Sequence, residues 1–331
     1  MAEETELSIT IEPFRPEDRR AWQEYVRKSQ TGTLFHDLDF LDYHPTGRFD
    51  FHHLILRQEG RIVGLLPGAL GRRDDGVAFV SLSGASVGGM VLAADCRLHL
   101  ACALVEALVR HGRQEGWSSL DLTLPPAIYN GHLAALPSYA LSKAGFTLAN
   151  RHVCFALGLT PRRAGGYADY FRATAANLVR GARRTGSTVA SGSAALLPSF
   201  LQLLDDTYER HGTAPTHSHE DLRTLAERFP DRIRFYVTSR EGEPTGGLCV
   251  FMLNPRVATT FYICTRADRA KDNGVLAALA QAIDDLTVEG YDWFDLGPSA
   301  DHAQINKGVV RFKEGLGAEY HLREHWIFQL R

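Results

Sequence analysis

Two octets, Glu115-Gly-Trp-Ser-Ser-Leu-Asp-Leu122 and Glu289-Gly-Tyr-Asp-Trp-Phe-Asp-Leu296, decide how this chain is read. Each follows a long stretch, Arg97 to Gln114 in one case and Val275 to Val288 in the other, where apolar residues recur at three- and four-residue spacing. That period is helical, and the short apolar run after the glycine has the length of a strand, so each octet marks a helix, a stop and a strand. Working outward, Leu141-Ser-Lys-Ala-Gly-Phe146 matches Arg311-Phe-Lys-Glu-Gly-Leu316, and His152-Val-Cys-Phe-Ala-Leu157 matches His325-Trp-Ile-Phe-Gln-Leu330, in the same order and at near-constant spacing. Upstream, Glu59-Gly-Arg-Ile-Val-Gly64 and Glu241-Gly-Glu-Pro-Thr-Gly246 each read as a turn between two strands. The same unit is written twice.

Each copy predicts helices, two or three antiparallel strands, a long helix, a strand, a short helix ending in glycine and a final strand. This is an α+β fold of two tandem domains, each a mixed, largely antiparallel sheet flanked by helices. The proline- and glycine-bearing stretch Pro161-Arg-Arg-Ala-Gly-Gly166 puts the boundary between domains 1–161 and 162–331. Additional helices are expected before the second set of strands, at Tyr167 to Phe171, Ala175 to Arg184, Leu196 to Arg210 and Glu220 to Phe229. A length of 331 residues suits two domains of about 150 each. With 44% hydrophobic and 23% charged residues the chain is an ordinary globular protein. Its formal charge of -3 excludes a global basic field, so any nucleic-acid contact has to come from a local patch. No apolar run is long enough to span a membrane, and the start Met1-Ala2-Glu3-Glu4 is acidic where a signal peptide is basic; the expectation is a cytoplasmic protein. Five scattered cysteines without a CxxC pair predict reduced core thiols and no zinc site.

This order of elements, with Lys-x-Gly-[Phe/Leu] on a short helix before the last strand, resembles the GNAT acyltransferase fold. A tandem pair of such units resembles the Fem family, aminoacyl-tRNA-dependent transferases that build peptidoglycan cross-bridges. The residues carrying the resemblance are Phe35-His36 with Phe40-Leu41, Asn177-Leu-Val-Arg-Gly-Ala-Arg-Arg-Thr-Gly186, Thr207-Tyr-Glu-Arg-His-Gly212, Gly290 to Gly297 and Phe312-Lys-Glu-Gly-Leu-Gly317. The resemblance implies an enzyme, with Lys313 of the Phe-Lys motif in catalysis and Arg210 of the Thr-x-x-Arg motif on the acceptor's phosphates. His44 stands where members acting on nucleotide-linked precursors have a lysine, which turns the expectation away from that acceptor. The implied donor is aminoacyl-tRNA, a co-substrate, with no resident cofactor. The implied acceptor is the amine of a cell-wall precursor, a peptide or a small molecule of specialised metabolism. An acyl-CoA or acyl-carrier donor is the alternative, and a non-catalytic binding module in cell-envelope assembly is the alternative of another class.

Amide formation needs a neutral amine about 3–3.5 Å from an activated carbonyl, and donors for the oxyanion. Lys313 suits the oxyanion role, its alternative being a surface lysine near a helix end. Arg210 could fork onto a phosphate or pair with Asp206 one turn earlier. Asp295, at the end of an apolar strand, could take or orient the amine's proton, although Asp121 holds the same place in the first copy. Asp301, His302 and Asn306 follow on a loop as further substrate-binding candidates. Arg180, Arg183 and Arg184, with Lys307 and Arg311 and with Arg162 and Arg163 nearby, form the basic patch that tRNA would require. Neither Leu92-Ala-Ala-Asp-Cys-Arg97 nor Arg269-Ala-Lys-Asp-Asn-Gly274 fits the glycine loop that cradles CoA pyrophosphate.

Gly84-Ala-Ser-Val-Gly88 fits a nucleophile elbow, but the sequence after it reads as a strand where the elbow needs a helix. His321-Leu-Arg-Glu-His325 fits a zinc-protease signature that works only on a helix. The repeat places it in a strand, where residues four apart lie about 13 Å from each other. His217-Ser-His-Glu220 and His52-His53 lack further ligands, so no metal is expected.

Overall fold

Both periodic stretches fold as helices, over Leu98–Gln114 and Gly274–Val288. Each turns one face inward: Ala101, Leu104, Val105 and Leu108 in the first, Leu279, Ile283 and Leu286 in the second. The computed structural model describes residues 7–159, 166–300 and 304–330, which form two compact units with a separate core in each.

The first unit begins with β1 (Ile9–Pro13), α1 (Arg19–Lys28), α2 (Leu38–Leu41), β2 (Asp50–Phe51), β3 (Leu54–Gln58) and β4 (Arg61–Leu66). It continues with β5 (Ala69–Arg73), β6 (Gly76–Ser81), β7 (Val91–Leu92), α3 (Leu98–Gln114), β8 (Ser119–Leu124), α4 (Leu136–Lys143) and the start of β9 (Thr147–Gly158). β1, β3, β4 and β7 make one antiparallel sheet; β2, β5, β6 and β8 lie side by side in another, where β6 and β8 are parallel. The second unit holds the end of β9, α5 (Ala173–Arg184), β10 (Thr188–Gly192), α6 (Leu197–His211), α7 (His219–Arg228), β11 (Ile233–Arg240) and β12 (Glu243–Asn254). β13 (Val257–Thr265), α8 (Gly274–Val288), β14 (Trp293–Ala300), α9 (Lys307–Gly315) and β15 (Glu319–Gln329) follow. Its sheet runs β10-β11-β12-β13-β14-β9, antiparallel except for β13 and β14.

The two expected turns are matched hairpins. Glu59 and Gly60, and likewise Glu241 and Gly242, all have positive φ, the conformation of a two-residue turn that follows strand twist. Of the additional helices, α5, α6 and α7 lie within two residues of their expected bounds, and the first is a 3-10 turn over Gly166–Asp169. All five cysteines are buried, and none is in a disulfide.

The units do not divide at 161/162. The first comprises residues up to His152 and those from Leu322 onward, and the second is Val153–His321, so the division falls inside β9 and β15. β15 lies along β8 (Asp121 opposite Ile327), while β9 lies along β14 (Asp295 opposite Ala156). Each copy's last strand therefore completes the sheet led by the other copy's octet. Both octet strands present an apolar antiparallel edge of the same kind, and either final strand satisfies it. Among the described residues no helix is long and apolar enough to cross a membrane.

Candidate functional site

The second octet builds a gap. β13 and β14 pair at Val257–Trp293, Ala258–Phe294 and Thr259–Asp295 and then part, β13 running on to Thr265 and β14 to Ala300. On its other edge β14 is regular against β9 as far as Asp295, then slips so that Pro298 faces Cys154 and Ala300 faces Val153. The slip is local: Gly297 takes φ +76, and Pro298 has no N–H to give to a ladder. In the slipped stretch Lys313 Nζ donates to the carbonyls of Gly297 and Pro298, at 2.8 and 3.2 Å.

Lys313 is held there by its helix. Asn306 starts α9, its side chain accepting the Val309 N–H at 3.1 Å, and Val310, Phe312 and Leu316 pack into the core of the second unit. The lysine side chain follows them in and is 3% exposed, with Nζ 5.8 Å from the centre of the Phe155 ring. Burial pushes its pKa from 10.5 down to about 8, against the pull of Asp295 and Cys154 in the other direction. At neutral pH it remains an ammonium, aimed at carbonyl oxygens and shielded from water, which strengthens any bond it makes to developing negative charge. The alternative of a surface lysine does not hold.

Asp295, 4% exposed, accepts the Gly297 N–H at 2.8 Å through Oδ1 and the Thr259 hydroxyl at 3.3 Å through Oδ2. These bonds keep the carboxylate beside the parting strands. Trp293, two residues earlier on the same strand face, lies against Gly158, where a Cβ would come within 3.3 Å of its ring. Its edge meets the His321 ring at 5.1 Å between centres. β15 carries His321 and His325 on a strand, not on the helix that a metal signature needs. Burial lowers the His321 pKa, with Glu319 and Asp295 opposing. Among the described residues no group of three or more His, Cys, Asp or Glu could hold a metal ion.

The other candidates are spread out. Arg210 is exposed in the last turn of α6, and its expected partner Asp206 instead accepts the Ala267 N–H at 2.9 Å. His44 lies in the first unit, where Nε2 is 2.7 Å from the Gly84 carbonyl and the ring lies 4.0 Å from Tyr43. Arg180 and Arg184 are exposed on α5, and Lys307 and Arg311 on α9; Arg180 is steadied by the Asn177 side chain. Arg183 differs, pairing with Asp284 at 3.7 Å and lying over the Tyr167 ring at 4.8 Å. Asp301, His302, Arg162 and Arg163 lie outside the described residues.

The start of α8, reached through Arg269 to Gly274, is closed from within. Asp272 is bound by Arg240 and Arg269, each at 2.6 Å, and Arg269 also meets Glu241 at 3.1 Å. A Cβ on Gly246 would come within 2.5 Å of the Val275 nitrogen, so β12 lies directly against the first helical N–H groups.

Residues 170–314 match a family described as an acetyltransferase (GNAT) domain. Among solved structures the chain is similar to FemX, at 11% identity and a TM-score of 0.72 over 96% of this chain and 97% of that one. It is similar to L-PGS from Bacillus licheniformis, at 14% and 0.58, over 97% and 93% of the two chains. A tandem GNAT protein from the clavulanic acid biosynthesis pathway is 16% identical with a TM-score of 0.54, over 98% and 99%. No curated protein matches. The chain has a Fem-like tandem GNAT fold, and the family match lies in its second half.

Proposed function

We propose that this protein is an N-acyltransferase that moves an amino acid from aminoacyl-tRNA onto the amine of a peptide or small-molecule acceptor. The observation that carries the reading is the buried ammonium of Lys313 at the point where β13 and β14 part. A donor carbonyl laid in that gap places its oxygen within reach of Lys313. The acceptor amine attacks the carbonyl carbon, the oxyanion is held by the ammonium, and the ester oxygen leaves with a proton as the tRNA hydroxyl. Asp295 orients the amine. No protein nucleophile is required.

A tRNA ester is favoured over a CoA thioester by the closed start of α8. An internal carboxylate, Asp272, already takes the arginines that a pyrophosphate would need, and β12 covers the helix N–H groups. Arg180, Arg184, Lys307 and Arg311 supply exposed positive charge on the same unit, and Arg210 is offered to an anionic acceptor.

The test is loss of amino acid from a pool of charged tRNAs, read by mass spectrometry with amine and peptide extracts supplied and an RNase-treated control. A new amide abolished by RNase is the expected result. Consumption of an acyl-CoA pool in its place would move the donor to the thioester.

A further inference from the structure

The mechanism above leaves one proton without a destination. An amine acceptor is an ammonium at neutral pH, and after attack its nitrogen sheds a further proton, so the site needs a base. Asp295 is given to orienting the amine, with Oδ1 accepting the Gly297 N–H and Oδ2 the Thr259 hydroxyl. Lys313 is a cation bound to two carbonyls.

His321 has what these two lack. Among the described residues its Nε2 is shut off from solvent and has no hydrogen-bond partner. Buried polar atoms of folded proteins are almost always paired, so an unpaired one needs an explanation beyond the fold. The ring is fixed edge-on to Trp293, which shares a strand face with Asp295. The titratable groups acting on it are Glu319 from its own strand and Asp295 from β14, and both favour the imidazolium that a proton transfer would create.

Resting on the transferase reading, we propose that His321 is the general base of the reaction: Nε2 takes the extra proton of the acceptor's ammonium, directly or through one water, and so delivers a neutral amine to the donor carbonyl. As the N–C bond forms and the C–O bond of the donor ester breaks, the proton shed by the attacking nitrogen passes to the leaving oxygen. The net reaction releases one proton, which the imidazolium gives to solvent once the products leave.

The test compares two probe nucleophiles, glycinamide, whose amine is protonated at neutral pH, and hydroxylamine, which is already neutral. With charged tRNA as donor, His321→Gln should lose about 100-fold in kcat/KM toward glycinamide at pH 7. The loss should shrink as pH rises, and hydroxamate formation should be little changed. The wild type gives the same contrast without a substitution that could disturb folding: an acid limb in the pH profile with glycinamide that is weaker with hydroxylamine. An equal loss with both nucleophiles, or wild-type profiles that coincide, overturns the role of His321. Transfer from acetyl-CoA but not from charged tRNA would overturn the donor and leave the His321 comparison to be read on that thioester, since the proton has the same problem there. No product from either donor overturns both.

Discussion

Lys143 and Lys313 occupy matching places in the two copies, each on the short helix before a final strand, and their environments could hardly differ more. Lys143 is about half exposed and pairs with Glu106 at 3.2 Å. Lys313 is buried on two carbonyls. The gaps beside them differ in the same direction. In the first unit β6 and β8 pair from Ala78–Ser119 to Ser81–Leu122, and the chain then folds back across them. Gly88 N–H donates to the Thr123 carbonyl at 2.8 Å, Gly89 N–H to Ser81 Oγ at 2.9 Å, and the His36 ring meets the Gly88 carbonyl at 3.2 Å. The segment that resembled a nucleophile elbow is a backbone plug. The first unit covers its strand ends with its own backbone; in the second, a lysine from α9 donates to the carbonyls of β14. The two copies share a frame and differ in where they place the lysine of the short helix.

The strongest way to break this comparison is to force the plug out. A Cβ on Gly88 would come within 2.6 Å of the Ser81 carbonyl carbon, so Gly88→Leu should cost about 3 kcal/mol or more in chemical denaturation, whereas Gly315→Leu, with open space around it, should cost far less. Next come the paired aspartates. Burial raises the Asp121 pKa, but hydrogen bonds from His325, Ser119 and Arg73 outweigh it and hold the carboxyl below its ordinary 3.8. Its stabilisation is thus complete above the unfolded value and lost as pH falls through the folded one. Asp121→Asn should lower stability by about 1–3 kcal/mol at pH 7 and flatten the acid side of the stability curve. Asp295→Asn should act chiefly on kcat.

Lys313 has the opposite signature to a paired lysine. Its folded pKa of about 8 lies below the unfolded 10.5, so between these values the unfolded state binds more protons and stability rises with pH. Relative to Lys313→Met, the wild type should gain stability across that window, and its activity should fall as the ammonium is lost above pH 8; Lys143→Met should show neither effect. The smallest effect concerns the surface. If Arg180, Arg184, Lys307 and Arg311 meet tRNA phosphates, each alanine should lower the slope of log affinity against log salt by about 0.7–0.9. Arg110, exposed on α3 of the first unit, should leave the slope unchanged when replaced.

Much of this frame was legible in the sequence because it is periodic and repeated: the long helices, the Glu-Gly hairpins and the octet strands depend on local spacing and turn chemistry. The exchange of final strands was not, since β9 and β15 are equally good partners for either edge and only the folded chain chooses. Lys313 was found through its motif, but its motif partner Lys143 shows that the motif alone does not bury a charge. His321 was hidden because its place beside Trp293 depends on strands far apart in sequence. The role of Asp272 depends on Arg240, on a different strand.

The most direct measurement of the central claim is amide formation from charged tRNA by Lys313→Ala and Lys143→Ala side by side. Loss of about 10²–10³-fold in kcat for the first and an unchanged rate for the second is the predicted result. Equal activity in both variants would contradict it, as would greater loss from Lys143→Ala.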